Sequence, residues 1–249
     1  MITRVEIKDN WVIKGIFGDG LKKLSELDDF PWQKLADISE EILINDVTAS
    51  LFKTKLNFER FSGIRQKINK PMIFGGGIHK LKDIENALAA GFDRVLICSK
   101  SFDGELGKQF LEEAAKQFGV STIIVGFEIT CEENSFNIHT SHPRYSRGRH
   151  TSAETIKRWI KNIELIDEFE IAVFDLSKEG TSQGFSLNTI RSITSITKRP
   201  VIYGGGGNKQ DLRSGGEILR KDKNLRALIY CVTALRMLDF NLVEVPCDK

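Results

Sequence analysis

Two acidic residues follow short apolar stretches in distant parts of the chain. Glu6 stands in VEIK and Glu128 stands in FEIT, 122 positions apart in a chain of 249 residues. A carboxyl group that ends a strand at the rim of a sheet can donate or accept a proton at a bound substrate. If both strands belong to one closed sheet, the two carboxylates face each other and predict general acid and base chemistry on a single substrate.

Two glycine runs also interrupt apolar stretches, in PMIFGGGI and PVIYGGGG. Glycine lets backbone N–H groups approach an anion closely, and a helix that begins just after the run adds the favourable field of its N-terminus. Two matched runs therefore predict a long substrate with a phosphate at either end. We expect the next strand end to complete each site. The predicted phosphate contacts are Gly76, Gly77, Cys98 and Ser99 in the first half and Gly205, Gly206, Val232 and Thr233 in the second.

The glycine runs belong to a longer repeat that predicts the fold. Gly75 and Gly204 are 129 residues apart, and so are Asp46 and Asp175. Short β-branched strands alternate with stretches in which apolar residues recur three and four positions apart, as in helices. This order predicts an α/β (β/α)8 TIM barrel, a single domain over residues 1–249 with pseudo-symmetric half-barrels of about 1–120 and 121–249. A doubly wound open sheet is the alternative, and it explains the duplication less well.

Composition narrows the function classes. The net charge is +2, from 36 basic and 34 acidic residues, so neither a nucleic acid nor a membrane surface is indicated as a partner. The four cysteines form no CxxC pair, and no apolar run is long enough to span a bilayer, which together predict a reduced, cytoplasmic protein. His139 and His142 have a spacing that could hold a metal, but a polar loop is the preferred interpretation. We expect no metal and no cofactor.

Several segments resemble a known family. The order DVTAS, FGGGIHKLKDIENALAAGFDRVLICS, FDLSKEGTSQGF and YGGGG resembles the cyclase subunit of imidazole glycerol phosphate synthase and its sister barrel, the histidine-pathway isomerase. The resemblance covers nearly the whole chain and is nearer to the cyclase, because KEGTSQGF and VIKG match segments of that subunit. It implies a lyase-type cyclisation of a bisphosphorylated aminoimidazole ribotide, with ammonia supplied by a glutaminase subunit docked at the N-terminal face of the barrel.

The resemblance also implies roles for individual residues. Glu6, Glu128 and Lys14 would be catalytic, although both glutamates stand where the family has aspartate. The extra methylene moves each carboxylate by roughly 1.5 Å, and a misplacement of about 1 Å can cost about 10²-fold in rate. Activity on the usual substrate is therefore an open question. Alternatively, each glutamate pairs with a cation such as Lys8, and Lys14 is an ordinary surface lysine. Further substrate contacts implied are Asp46, Ser177, Glu179, Gly180 and Thr181.

At the opposite mouth, the resemblance implies a ring of charged residues that gates the entry of ammonia. Glu41, Arg94 and Glu170 stand at three of its positions, each at the beginning of a strand. The fourth member, an arginine before the first strand, has no counterpart because it would precede Met1. Ordinary surface salt bridges are the alternative interpretation. The segment from Gly18 to Trp32 is predicted to cover the other mouth as a lid.

Three functions remain open from the sequence. The first is an ammonia-using cyclase of histidine biosynthesis, which the glycine runs and Lys14 favour. The second is a paralogous barrel that relays ammonia for the amidation of a surface sugar, which the two glutamates favour. The third is a non-catalytic subunit that activates a glutaminase.

Overall fold

Eight parallel strands form a closed barrel in the computed structural model, which describes residues 1–17, 20–52, 54–132, 135–139, 149–151, 153–231 and 245–246. Around the barrel the order is β1, β4, β5, β6, β7, β10, β11 and β12, and β12 pairs with β1 to close it. The strands, in chain order, are β1 Ile2–Lys8, β2 Trp11–Ile16, β3 Gly20–Glu26, β4 Glu41–Asp46, β5 Met72–Gly75, β6 Arg94–Ile97, β7 Ile123–Glu132, β8 Ser135–His139, β9 Arg149–Thr151, β10 Glu170–Asp175, β11 Val201–Gly204, β12 Leu225–Cys231 and β13 Val245–Pro246.

Helices lie between the barrel strands and cover the outer face of the sheet. The predicted (β/α)8 barrel is thus confirmed, and the open-sheet alternative is wrong because β12, at one end of the strand order, pairs with β1 and leaves the eight strands no free edge. Short 3-10 turns span Glu59–Phe61, Ser99–Phe102 and Val120–Thr122. The α-helices are α1 Trp32–Ile38, α2 Val47–Phe52, α3 Ser62–Lys67, α4 Leu81–Ala89, α5 Glu105–Phe118, α6 Ala153–Glu164, α7 Leu187–Thr194 and α8 Lys209–Lys221.

The strands are apolar on both faces, which explains their nearly continuous hydrophobic sequences. Alternate residues of β1 illustrate this: Val5 and Ile7 pack outward against the helices, whereas Ile2 points into the barrel. The interior floor is apolar and is built from every barrel strand. Its members are Ile2, Leu43, Ile73, Leu96, Ile124, Ala172, Phe174, Ile202, Ala227 and Ile229.

Antiparallel additions rise from two barrel strands. β2 and β3 form a hairpin directly after β1, and β8 pairs with the extended end of β7 and with β9. The segment predicted as a lid, from Gly18 to Trp32, contains β3 and ends at the first residue of α1, and its residues 18 and 19 lie outside the described residues. Its role as a lid stays a prediction. None of the helices in the described ranges combines the length and apolar character that crossing a membrane requires.

Candidate active site

A buried cluster of charges occupies the carboxyl-terminal mouth of the barrel. Arg4 lies one layer above the apolar floor, and its Nη2 donates to Glu6 Oε1 at 2.5 Å. Its Nη1 donates to Glu179 Oε1 at 3.0 Å. The three residues are 7%, 7% and 3% exposed, so both ion pairs are removed from water. A guanidinium presents its donors as a planar fork, which lets one arginine bind carboxylates from two separate segments.

Arg4 stacks on Phe174 inside the barrel, and Gly126 is closely packed against neighbouring side chains. The Arg4 guanidinium lies over the Phe174 ring, with its central carbon 5.0 Å from the ring centroid. A Cβ atom built on Gly126 would come within 2.7 Å of Leu96 Cδ1 and 2.8 Å of Cys98 Sγ. Any larger residue at position 126 would displace these side chains. Arg4 of β1 and Phe174 of β10 therefore fill this layer of the barrel, and β7 contributes a glycine to it.

Glu128 is the other carboxylate predicted from the sequence, and it lies in the electrostatic field of the same cluster. Burial raises the pKa of its carboxyl to about 7, with Glu179 and Glu6 adding to the shift and Arg4 opposing it. Burial also raises the pKa of Glu6, against the opposing effect of Arg4. The Glu6 carboxylate nevertheless has both oxygens engaged, because Oε2 accepts a hydrogen bond from the Gly15 N–H at 2.9 Å. The structure gives the Glu128 side chain no hydrogen bond to the described residues.

The β2–β3 hairpin folds over this cluster. Gly15 contacts Glu6, and the Phe17 N–H donates to the Glu179 carbonyl at 3.4 Å. Gly180 has a φ of 70°, and a Cβ there would lie 2.5 Å from the Gly15 carbonyl oxygen, so glycine permits the close approach. Lys14 lies on β2 beside Gly15, opposite Lys22 of β3. The hairpin therefore brings Lys14 to the rim, adjacent to the residue that binds Glu6.

The two glycine runs adopt matching conformations at the same mouth. Gly76 and Gly205 have φ of 94° and 128°, and each approaches the carbonyl of the residue that ends the neighbouring strand, Asp46 and Asp175. Gly77 and Gly206 follow with φ of 71° and 82°. Such conformations are strained for other residues, which explains the glycines. In the second half the run borders a narrow cleft lined by Gly180, Ser182, Gly205, Gly206, Gly207, Ile229 and Cys231.

The helices after the glycine runs are already capped. Asp83 Oδ2 accepts hydrogen bonds from the backbone of His79 and Lys80 before α4. Asp211 Oδ2 accepts from Asn208 and Phe185 before α8. In α8 the Asn208 side chain also binds the first-turn N–H groups of Gln210 and Asp211, whereas Lys80 gives α4 no side-chain cap. The helix after the second run therefore offers an anion fewer free donors than the helix after the first.

Some of the predicted substrate contacts are held by neighbouring protein groups. Asp46 caps α2 through the Ala49 N–H at 3.1 Å and forms an ion pair with Arg60. Ser177 donates its hydroxyl hydrogen bond to Asp175, whose other oxygen accepts from Tyr203 at 2.8 Å. Asp175 is 1% exposed and faces the helical layer with Tyr203. The Thr181 hydroxyl donates to the Lys178 carbonyl at 2.7 Å, which stabilises the turn around Gly180.

The strand ends that were expected to complete the cradles hold two thiols. Cys98 follows β6 and faces Glu128, and Cys231 ends β12 beside Arg4. Burial raises the pKa of both thiols, that of Cys231 to about 12, so neither is a thiolate near neutral pH. Ser99 begins the following 3-10 turn. Val232 and Thr233 lie outside the described residues, and so does His142. Within the described part of the chain, no cluster of side chains could hold a metal ion.

A ring of four charges closes the opposite, amino-terminal mouth. Arg94 Nη2 donates to Glu170 Oε2 at 2.5 Å, and its Nη1 lies 3.7 Å from Glu41 Oε2. Arg226 pairs with Glu41 and places its Nε 2.8 Å from Glu170 Oε1. Arg226 is therefore the fourth member of this ring. Sequence reasoning missed it, although a charge in the apolar stretch LRALIYC was the available signal.

Between the two mouths, the barrel interior is apolar and narrow. A cavity of about 10 Å³ is lined by nine residues of the floor, which is near the smallest volume that holds one water molecule. The described side chains around it carry no charge. A cation would lose its hydration there without a replacement, whereas a small neutral molecule would lose little.

Known proteins resemble this chain over most of its length. The family model described as Histidine biosynthesis protein matches residues 5–227. The "Imidazole glycerol phosphate synthase subunit HisF" of Lactococcus lactis subsp. cremoris (strain MG1363) is 27% identical over 233 residues, 92% of this chain and 87% of the relative. The protein of that name from Hydrogenobaculum sp. (strain Y04AAS1) is 29% identical over 250 residues, covering 100% and 93%. A Legionella pneumophila protein of that name is 26% identical over 210 residues, covering 84% and 95%.

Proposed function

Because this chain belongs to the histidine biosynthesis protein family, we propose that it is the cyclase-type subunit of an imidazole glycerol phosphate synthase. In this reaction, ammonia and a bisphosphorylated aminoimidazole carboxamide ribotide give imidazole glycerol phosphate. Glu6, Glu128 and Lys14 would line the reacting part of the substrate. A glutaminase subunit docked at the amino-terminal face would supply the ammonia.

The observation that carries the proposal is the apolar interior between two charged mouths. The charge ring of Glu41, Arg94, Glu170 and Arg226 covers one end, and the Arg4 cluster lies at the other. An apolar passage favours neutral ammonia over ammonium, because burying an isolated cation costs far more than burying a small neutral molecule. A passage of this kind has a use when ammonia is made at one mouth and consumed at the other.

The charge ring has the exposure expected of a gate. Its four side chains are between 15% and 31% exposed, so they lie at the surface yet contact one another. The two positive and two negative charges balance, so the closed ring has a low electrostatic free energy in the absence of a partner. Docking of a glutaminase would supply competing charges and let the ring rearrange.

The glycine runs support a substrate with two phosphates. They lie at the same mouth, in equivalent positions, and expose backbone that approaches neighbouring segments closely. The second run borders a cleft with Gly180, which keeps the turn that the cyclase resemblance implies for that phosphate. A substrate stretched between the runs would cross the mouth above Arg4, Glu6 and Glu128.

The proposal is tested by incubating the purified protein with the ribotide substrate and ammonium salt at pH 8 to 9. We expect imidazole glycerol phosphate, and we expect Glu128→Gln to lower its rate of formation by about 10²-fold or more. Arg199→Met is the matched control, because Arg199 precedes β11 and pairs with the exposed Glu168 before β10, at the end of the barrel opposite Glu128. Failure of the protein to form any product with this substrate would refute the proposal.

A second candidate is supported by the Arg4 cluster. An arginine bound to Glu6 alters one of the two carboxylates that the cyclase reaction would use. A barrel with intact passage and altered mouth could deliver ammonia to another acceptor, such as a surface sugar handled by a separate amidotransferase. This candidate predicts that the protein activates a glutaminase and releases ammonia while forming no imidazole product.

Both candidates need a glutaminase at the amino-terminal face, and Arg226 allows a test. In a complex with a glutaminase subunit, Arg226→Met is expected to change glutamine-dependent turnover while leaving turnover with added ammonium salt within about twofold. The exposed ion pair makes a folding defect small. Equal loss with glutamine and with ammonium would show that the ring has no role in delivery.

A further inference from the structure

The two halves of the barrel differ most at one layer, directly below the mouth. Arg4 precedes Glu6 by two residues on β1, and Gly126 precedes Glu128 by two residues on β7. The position on β1 thus carries an arginine, and the equivalent position on β7 carries a glycine, which has no side chain. Arg4 stacks on the Phe174 ring, whereas a Cβ built on Gly126 would lie within 2.8 Å of Leu96 and Cys98.

This single cation meets three carboxylates and binds two of them. Glu6 and Glu179 receive hydrogen bonds from Arg4, at 2.5 and 3.0 Å. Glu128 interacts with Arg4 through space only. The buried Glu6 and Glu179, the half-buried Glu128 and one guanidinium would carry a net charge of −2, and this excess charge is relieved by retaining a proton. Burial raises the pKa of Glu6 as well. Glu6 would weaken two hydrogen bonds to its charged form, from Arg4 and from the Gly15 N–H, if it took the proton, whereas Glu128 has none to lose among the described residues.

We infer that Arg4 is a positioning residue that gives the two mouth glutamates different roles, holding Glu6 as a fixed anion and leaving Glu128 to exchange the proton with the substrate. This assignment rests on the proposed cyclase function and refines it. Glu6 then orients the hairpin, through Gly15, and the substrate. Glu128 is the catalytic acid and base.

The proton balance of ammonia addition fits one such group. When ammonia adds to a carbonyl carbon, a C–N bond forms, the C–O bond later breaks, and water leaves. In total the nitrogen must lose two protons and the departing oxygen must gain two. In each of two exchanges, protonated Glu128 gives its proton to the oxygen and its carboxylate takes a proton from the nitrogen, which restores the starting state. A group with pKa near the working pH can serve in both directions.

Groups on several elements face Glu128 and influence its titration. Arg4 and Glu6 come from β1 and Glu179 from the segment after β10. Cys98 faces it from the end of β6. His139 is its register partner on β8, and burial lowers the pKa of that imidazole, so it is neutral at pH 7. Arg4 is therefore the cation that acts on Glu128 among these groups.

The inference is tested by a titration that needs no activity. Protein labelled with ¹³C at the glutamate side-chain carboxyl is titrated from pH 4 to pH 9 by NMR. We expect one carboxyl with a midpoint of about 7, absent in Glu128→Gln and retained in Glu6→Gln. Retention in Glu128→Gln together with loss in Glu6→Gln would reverse the roles and overturn the inference.

Arg4 itself is tested in Arg4→Met and Arg4→Lys. Loss of the cation is expected to move the Glu128 midpoint upward by about one unit or more, and lysine is expected to restore part of the shift. Arg199→Met should leave the midpoint in place. An unchanged midpoint in Arg4→Met would show that Arg4 does not control Glu128. If Arg4→Met does not fold, the glutamate variants above still decide the assignment.

Activity separates this inference from the proposed function. If product forms, kcat/KM of the unaltered protein should follow the Glu128 titration, and Glu6→Gln should reduce kcat at least 10-fold less than Glu128→Gln does. If no product forms but the titration behaves as expected, the proposed reaction is wrong and the division of roles by Arg4 stands. If product forms while Glu6 gives the near-neutral titration, the reaction stands and the inference is wrong.

Discussion

The two halves of the barrel share a backbone frame and differ in the side chains that fill it. Gly76 and Gly205 have left-handed φ values and approach equivalent carbonyls, at Asp46 and Asp175. Arg4 and Gly126 occupy equivalent positions yet differ as much as two residues can. The two halves therefore repeat the glycines that their backbone conformation requires. A single interior layer of side chains can nevertheless give the two halves different chemistry.

A second difference concerns the glycine runs themselves. In the first half, a Cβ on Gly77 would meet the Ala49 side chain at 2.6 Å, so the run is packed against α2. In the second half, a Cβ on Gly206 would meet the Gly184 carbonyl oxygen at 2.6 Å, and the run also borders a narrow cleft with Gly180. The two runs are therefore packed equally closely, against a helix in the first half and against a loop in the second.

The asymmetry at Arg4 is expected to have the largest effect on stability. Arg4→Met leaves Glu6 and Glu179 buried without their cation, a change that typically costs about 3–5 kcal/mol. Urea unfolding at pH 8 measures the loss. Because the stranded carboxyls of the variant acquire raised pKa values, the loss should shrink as the pH falls and protons neutralise them. A loss that does not vary with pH would contradict the ion-pair explanation.

The shared frame is tested by alanine at equivalent glycines. Gly76→Ala and Gly205→Ala each force a Cβ within 2.4 Å of a backbone carbonyl at positive φ, and we expect each to lose about 2–3 kcal/mol in urea unfolding. Gly216→Ala is the matched control, since α8 offers nothing within 4 Å of its Cβ, and it should gain about 0.5–1 kcal/mol. A large difference between Gly76→Ala and Gly205→Ala would break the comparison.

The raised pKa of Glu128 predicts that the free energy of unfolding depends on pH, and Glu128→Gln should remove this dependence. Its pKa is raised from 4.5 to about 7 in the folded protein. A raised folded pKa means that its contribution to stability is present below about pH 4.5 and is lost as the pH rises to about 7. Glu128→Gln should therefore flatten this part of the stability profile, by about 1–2 kcal/mol. Equal profiles for the two proteins between pH 5 and 8 would contradict the shift.

The smallest expected effect is the loss of stability when the ion pairs of Arg226 at the amino-terminal mouth are removed. Arg226 is 31% exposed, and it pairs with Glu41 and Glu170 at the amino-terminal mouth. We expect Arg226→Met to lose only about 1 kcal/mol in urea unfolding and to lose less as salt is added, because exposed pairs are weak and screened. A loss as large as that of Arg4→Met would mean that the ring is a structural clamp and would remove the contrast between the mouths.

The sequence by itself determined the barrel and much of the site. The glycine runs, the strands and their order could be predicted because each depends on local features, namely hydrophobic period and glycine conformation. Glu6 was predicted because it lies near the end of a strand, and such positions meet at one mouth of a parallel barrel. Glu179, Gly180, Glu41, Arg94 and Glu170 were implied by the family resemblance.

The tertiary structure alone decided which charge meets which. Arg4 stands two residues before Glu6 in an ordinary strand, and nothing local reveals that it binds Glu179, 175 positions away. Arg226 joins the ring because closure of the barrel sets β12 beside β1. Asp46 and Ser177 lie near the predicted phosphate sites in sequence, yet they contact Arg60 and Asp175 instead. Strand ends can be predicted from local pattern, whereas side-chain partners depend on the register and facing of distant strands, which only the closed barrel fixes.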